Sequence, residues 1–130
     1  MRKRVPDPAH SRSLMQASEA EMNFIEKIKP TTEAASTIIR GIYECFRRLG
    51  AALLLIQGLE GDHEQSIAEL TKLIVPTKRP LLVLENLRKL CHDINYRGYI
   101  PSQADLEDVL SIQKACWAPI LKEVKKTIQK

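Results

Sequence analysis

Arg88, His92 and Asn95 follow one another at intervals of four and three residues in the segment Leu87-Arg-Lys-Leu-Cys-His-Asp-Ile-Asn-Tyr-Arg-Gly-Tyr-Ile-Pro101. On a helix this spacing lines them up as one stripe, about 100° around the axis from the apolar stripe Leu84, Leu87, Cys91 and Ile94. A guanidinium, an imidazole and an amide then flank a packed helix face. Such a trio suits phosphate chemistry. An imidazole with a pKa near ~6.5 can move the 2′-hydroxyl or leaving-group proton of an RNA phosphodiester at neutral pH, while the rigid donor fork of an arginine holds the phosphate, and no metal is needed. Arg88 and His92 are therefore the candidate catalytic pair. Asn95, Tyr96, Arg97 and Tyr99, gathered around a helix end expected at Gly98, are the candidate binding residues.

Other chemistries lack their residues. The chain contains no Gly-rich phosphate loop, no paired-carboxylate motif, no nucleophile elbow and no metal-ligand cluster of recognisable spacing, so neither a metal nor a cofactor is expected. Cys45, Cys91 and Cys116 are three in number, unpaired in spacing and on or near apolar helical positions, and they read as reduced core thiols. The longest apolar run, Ala51 to Ile56, is far shorter than the roughly 20 residues of a membrane span, and the basic N-terminus lacks the apolar region of a signal peptide. A cytoplasmic protein without membrane contact is the expectation. The net charge of +4 is unevenly spread: Lys78 to Pro101 holds five basic and two acidic residues, against one and three in Gly61 to Thr77. The suspected site thus lies on the segment that favours polyanionic partners.

The elements that must position these residues are all helical. With 130 residues, 44% of them hydrophobic and 28% charged, the chain can bury one core without staples. Residues 1–17, with Arg2-Lys-Arg4, Pro6 and Pro8, show no helical period and are expected to form a flexible arm ahead of a bundle spanning residues 18–130. Ser18 and Glu21 form a capping-box pattern for a first helix carrying Met22, Ile25 and Ile28, which Pro30 ends. Thr31 or Thr32 caps a long second helix to Gly58. Its seam Ala35, Ile39, Ile42, Phe46, Leu49, Leu53 and Ile56 alternates steps of four and three. Arg47 and Arg48 lie off that seam and are expected to be solvated, and Gly41 and Gly50 point to close helix approach. Asp62 with Gln65 starts a third helix that buries Ile67, Leu70 and Ile74 and stops at Pro76. Pro80 opens the fourth, and Ser102 caps a fifth that runs to about Ile128 with a kink at Pro119. No strand pattern and no internal repeat is apparent. Five amphipathic helices on short connections pack most simply as an all-α, antiparallel up-and-down bundle.

An Arg and a His on a late helix followed by Tyr96-Arg-Gly-Tyr99 resemble the HEPN domains (higher eukaryote and prokaryote nucleotide-binding), and Gly41 to Gly58, a Tyr-containing turn ahead of an alanine- and leucine-rich one, resembles their second helix. Family members often carry a His shortly after that helix, where His63 stands. The resemblance implies a helical bundle that forms a homodimer with the fourth-helix sites meeting across a twofold, for which Leu82, Tyr99 and Trp117 are spare apolar residues. It further implies either a helical partner of a small nucleotidyltransferase, as in toxin–antitoxin pairs, or a metal-independent endoribonuclease. The RNase-type motif places four to six residues between Arg and His, whereas Arg88 and His92 have three between them. Reading Cys91 in the Arg position, with Asn95 near the His position, does not restore the motif. The departure implies a noncatalytic nucleotide-binding or interaction module, with the endoribonuclease or toxin using Arg88 and His92, and a purely structural dimer, as the alternatives.

Overall fold

Five helices and one minimal β ladder make up the computed structural model, which describes residues 1–129. Helix α1 spans Pro8–Ile25, α2 Ala35–Ile56, α3 His63–Thr71, α4 Val83–Tyr96 and α5 Gln103–Ile128, and the strands are β1, Arg2–Lys3, and β2, Leu59–Glu60. The protein is an all-α helical bundle, as the periodicity required.

Its spine is α2. Ile38, Ile39, Ile42, Phe46, Leu49 and Leu54 are all almost completely buried, and each contributes about 1.5–3 kcal/mol of burial free energy. The expected seam is buried from Ala35 through Leu53, and only its last residue, Ile56, is half exposed. Trp117 of α5 meets Phe46 edge-on at 5.1 Å and is itself 7% exposed, so it is a core residue and not spare interface surface. Side-chain pairings fix directions. Arg48 with Glu21 and Ser11 with Ala52 make α1 antiparallel to α2, whereas Tyr43 with His63, Gly50 with Ser66 and Gln57 with Glu69 rise together, so α3 runs in the sense of α2 after an extended return through β2. Arg88 near Tyr43 and Cys91 opposite Ile39 together send α4 back down α2.

Several local expectations are corrected. The N-terminal arm is pinned: Arg2 pairs with Glu60 and Lys3 with Leu59 in the antiparallel ladder, and Asp7 N donates to Leu55 O at 3.1 Å. Helix α1 begins ten residues ahead of Ser18 because Asp7 caps it, accepting from His10 N at 3.1 Å, with Pro8 in the first turn. Its buried positions, Ser11, Met15, Ser18, Met22 and Ile25, keep the four–three step throughout, and two serines hide that step from a hydrophobicity count. Both serines are satisfied, Ser11 Oγ donating to Ala52 O and Ser18 Oγ to Leu14 O, each at 2.9 Å. Ser18 is thus a mid-helix residue and not a cap. Thr31 Oγ1 accepts from Ala34 N at 3.2 Å, in the turn before α2 and not at its cap. Helix α3 stops at Thr71, five residues ahead of Pro76, which leaves Ile74 99% exposed instead of inward. Arg47 and Arg48 are half-buried and held in ion pairs, Arg47 with Glu44 and Arg48 with both Glu21 and Glu44. The capping boxes expected at Asp62/Gln65 and formed at Ser102/Asp105 start α3 and α5. Cys45, Cys91 and Cys116 are free and buried.

Candidate functional site

Helix α4 faces the core with Leu84, Leu87 and Cys91, and this phase decides where its polar residues go. On the outer side Arg88, Lys89, His92, Asp93 and Arg97 line a depression of about 330 Å³. All five belong to one helix and its C-terminal cap, so the depression is a shallow face and not an enclosed pocket. Gly98, at φ +67°, ends the helix in the left-handed conformation expected of a glycine there, and the Arg97 and Tyr99 amides both donate to Asp93 O, at 3.0 and 3.1 Å.

The groups differ in how free they are. Arg88 is held: its Nε lies 3.1 Å from each oxygen of Glu85, and its terminal nitrogen donates to the same carboxylate. That bond holds the Glu85 carboxyl below its ordinary range and pushes the Arg88 guanidinium up. His92 is exposed, makes no side-chain hydrogen bond among the described residues, and has the Tyr96 ring at 4.9 Å, tilted by 46°. Tyr96 is 76% exposed, a platform with an open face. Arg97 reaches back to Asp93 at 3.5 Å across a largely solvated pair. Asn95 is exposed but does not line the depression. Tyr99 also lies outside it, its hydroxyl donating to the Asp105 carboxylate, which lowers the Asp105 pKa and clasps the α4–α5 connection to the first turn of α5.

A second polar contact joins α2 to α3. The hydroxyl of Tyr43, on α2, sits 3.2 Å from Nδ1 of His63, the first residue of α3. Burial pushes the Tyr43 hydroxyl far up, so it keeps its proton in this contact. The His63 pKa is lowered first by burial and then by Arg47, with a smaller contribution from Arg88.

Arg88 and His92 do share one face, as their spacing demands. The fork that would grip a transferring phosphate is already occupied by Glu85, and among the described residues no side-chain hydrogen bond orients His92. Lys89 and Asp93 were missed as lining residues although the same helical wheel contains them, and the i, i+3 step from Glu85 to Arg88 was legible but unread. The Tyr43–His63 contact joins residues 20 apart on different helices and leaves no local signal. No group of three or more His, Cys, Asp or Glu able to hold a metal occurs among the described residues, and no described helix is long and apolar enough to cross a membrane.

Fold and site together define a helical bundle with a cationic, tyrosine-flanked helix face. Compared with protein-family models, with curated proteins and with solved structures, the chain matches none.

Proposed function

We propose that this protein is a HEPN-like, noncatalytic binding module whose α4 face takes a phosphate-bearing ligand, a nucleotide or single-stranded RNA. The observation that carries the reading is the composition of that face: Arg88, Lys89 and Arg97 against Asp93 and the Glu85 that pairs with Arg88, with the exposed Tyr96 ring beside His92. Cations supply phosphate affinity, and an open aromatic ring supplies a stacking surface for a base. The resemblance extends the proposal to a homodimer, with Leu82, Tyr99 and Ile100 as exposed apolar surface at the two ends of α4, and to a small nucleotidyltransferase as protein partner. A cytoplasmic setting belongs to the same reading and agrees with three free, buried thiols.

Fluorescence polarisation with labelled single-stranded RNA and with a labelled adenine nucleotide tests it. Lys89→Ala and Arg97→Ala should each weaken binding, and the salt dependence should flatten by about one unit of log–log slope per phosphate contact removed. Tyr96→Ala should weaken it by roughly 1–3 kcal/mol. Affinity unchanged in all three variants would refute the reading. One observation favours the endoribonuclease alternative, namely that Arg88 and His92 line the same depression. Metal-free cleavage of RNA by the wild type, lost at least about a hundredfold in His92→Ala, would establish it.

A further inference from the structure

Gln113 lies in the middle of α5 among core residues, and it is only 8% exposed. A primary amide brings two N–H donors and a carbonyl acceptor that need partners once water is excluded. Its Nε2 lies 3.1 Å from Met22 Sδ on α1, and a thioether is a weak acceptor. Its Oε1 has no hydrogen-bond partner among the described residues. That oxygen is not sealed in. Ser66 Oγ is the one wholly enclosed side-chain polar atom without a partner among the described residues, so Gln113 Oε1 keeps an opening to the surface. For packing alone an apolar side chain would serve better here, because the amide gives up water that Met22 does not replace.

The surface that Gln113 lines is a depression of about 410 Å³ where the end of α1 and the turn after it meet α5. Ile25, Ile28, Ile38, Leu110 and Trp117 form its apolar walls. Its volume is that of a small-molecule site, and a single deep polar group among apolar walls is the usual make-up of one. A water seated at the amide would have hydrocarbon on its other sides, whereas well-held buried waters make about three hydrogen bonds. Glu26 and Lys114 also line the depression, both exposed and of opposite sign, so it carries no net charge. It shares no residue with the α4 face.

We propose that this depression binds a small neutral aromatic molecule bearing a hydroxyl group, its ring against Trp117 and the isoleucines and its hydroxyl donating to Gln113 Oε1. The hydroxyl supplies the donor that the oxygen lacks. Trp117 is packed edge-on against the buried Phe46 and offers its remaining surface to the depression, where a second ring finds the offset or edge contacts that aromatic pairs prefer. Neutrality follows from Glu26 and Lys114, since an ionic ligand would meet a like charge beside each opposite one and would give up its hydration against apolar walls.

Phenol, toluene and benzoate are the probes, titrated into the isotope-labelled full chain. Trp117 is the only tryptophan, so its single indole N–H resonance reports the depression directly. The expected result is a saturable shift with phenol, binding of toluene weaker by about threefold or more, and no response to benzoate. Gln113→Leu keeps a side chain of similar size in the core, and an unchanged melting temperature or a raised one confirms that it folds. In that variant phenol should bind about threefold to tenfold more weakly while toluene binds at least as well as before, so the order of the two reverses. Absence of a saturable phenol shift would overturn the proposal and leave the amide to water alone. Equal affinities of phenol and toluene for the wild type, benzoate binding as tightly as phenol, or an unchanged phenol preference in Gln113→Leu would overturn it as well. Each outcome is independent of RNA or nucleotide binding at α4.

Discussion

Tyr43 Oη and His63 Nδ1 lie 3.2 Å apart and join the middle of α2 to the first turn of α3. Burial together with the charge of Arg47 favours the neutral imidazole by lowering the His63 pKa below its ordinary 6.5. In the unfolded chain the ring takes up its proton at higher pH than in the folded one. His63 therefore costs nothing above pH 6.5, and stability is lost as pH falls from there toward the folded value. Denaturation midpoints should decline across this window, and His63→Asn should flatten the decline. A further loss below about pH 4.5 is expected as Glu44, Glu85 and Asp105, whose pKa values are lowered in the fold, take up protons. An identical pH profile in His63→Asn would show that the contact carries no linkage.

Gly50 marks a close approach of α2 to α3. A Cβ at this position would lie 1.9 Å from the carbonyl oxygen of Ser66, a backbone atom that cannot swing away. Gly50→Ala should therefore lose about 1–3 kcal/mol through overpacking, against the gain of about 1 kcal/mol that alanine gives in a free helix. Gly41→Ala meets only the end of the Ile25 side chain and should be near neutral. Equal melting temperatures for the two variants would contradict the packing described.

The spine seam predicts its own costs. Leu49→Ala and Leu53→Ala remove side chains that are 0% and 4% exposed and should each destabilise by about 2–5 kcal/mol, whereas Lys27→Ala, on the surface, should stay within about 0.5 kcal/mol of wild type. Urea melts decide this.

Asp7→Ala removes the cap of α1 and should cost about 1 kcal/mol. Ser18→Ala, if Ser18 were the cap, would cost as much. Because it back-bonds to Leu14 within the helix, the change should be close to neutral, and a larger loss at Ser18 than at Asp7 would reverse the assignment.

Glu85 competes with any phosphate for the Arg88 fork. Glu85→Gln leaves size and helix propensity almost unchanged but frees the guanidinium, so RNA or nucleotide affinity should rise by about threefold or more, with a steeper salt dependence. A fall in affinity would mean that the carboxylate itself contacts the ligand.

Local rules determined much of this protein from the sequence alone. The four–three step of Ala35 to Leu53 fixed the buried face of α2, the pairs Asp62/Gln65 and Ser102/Asp105 fixed two helix starts, and Gly98 fixed the end of α4, because each depends on residues within a turn of one another. The same arithmetic placed Arg88 and His92 on one face. Tertiary structure decided what no local window contains. The first residues form β1 because Leu59 and Glu60 are there to pair, and Ser11 is a core residue because the Ala52 carbonyl accepts its hydroxyl hydrogen bond. The contact of His63 with α2 is likewise set by Tyr43, and Ile74 is exposed because α3 ends before it. Helical periodicity constrains a side chain's direction about its own axis. Which surface lies opposite, and hence whether a polar group is satisfied, titrated or left for a ligand, depends on chain segments brought together only by folding.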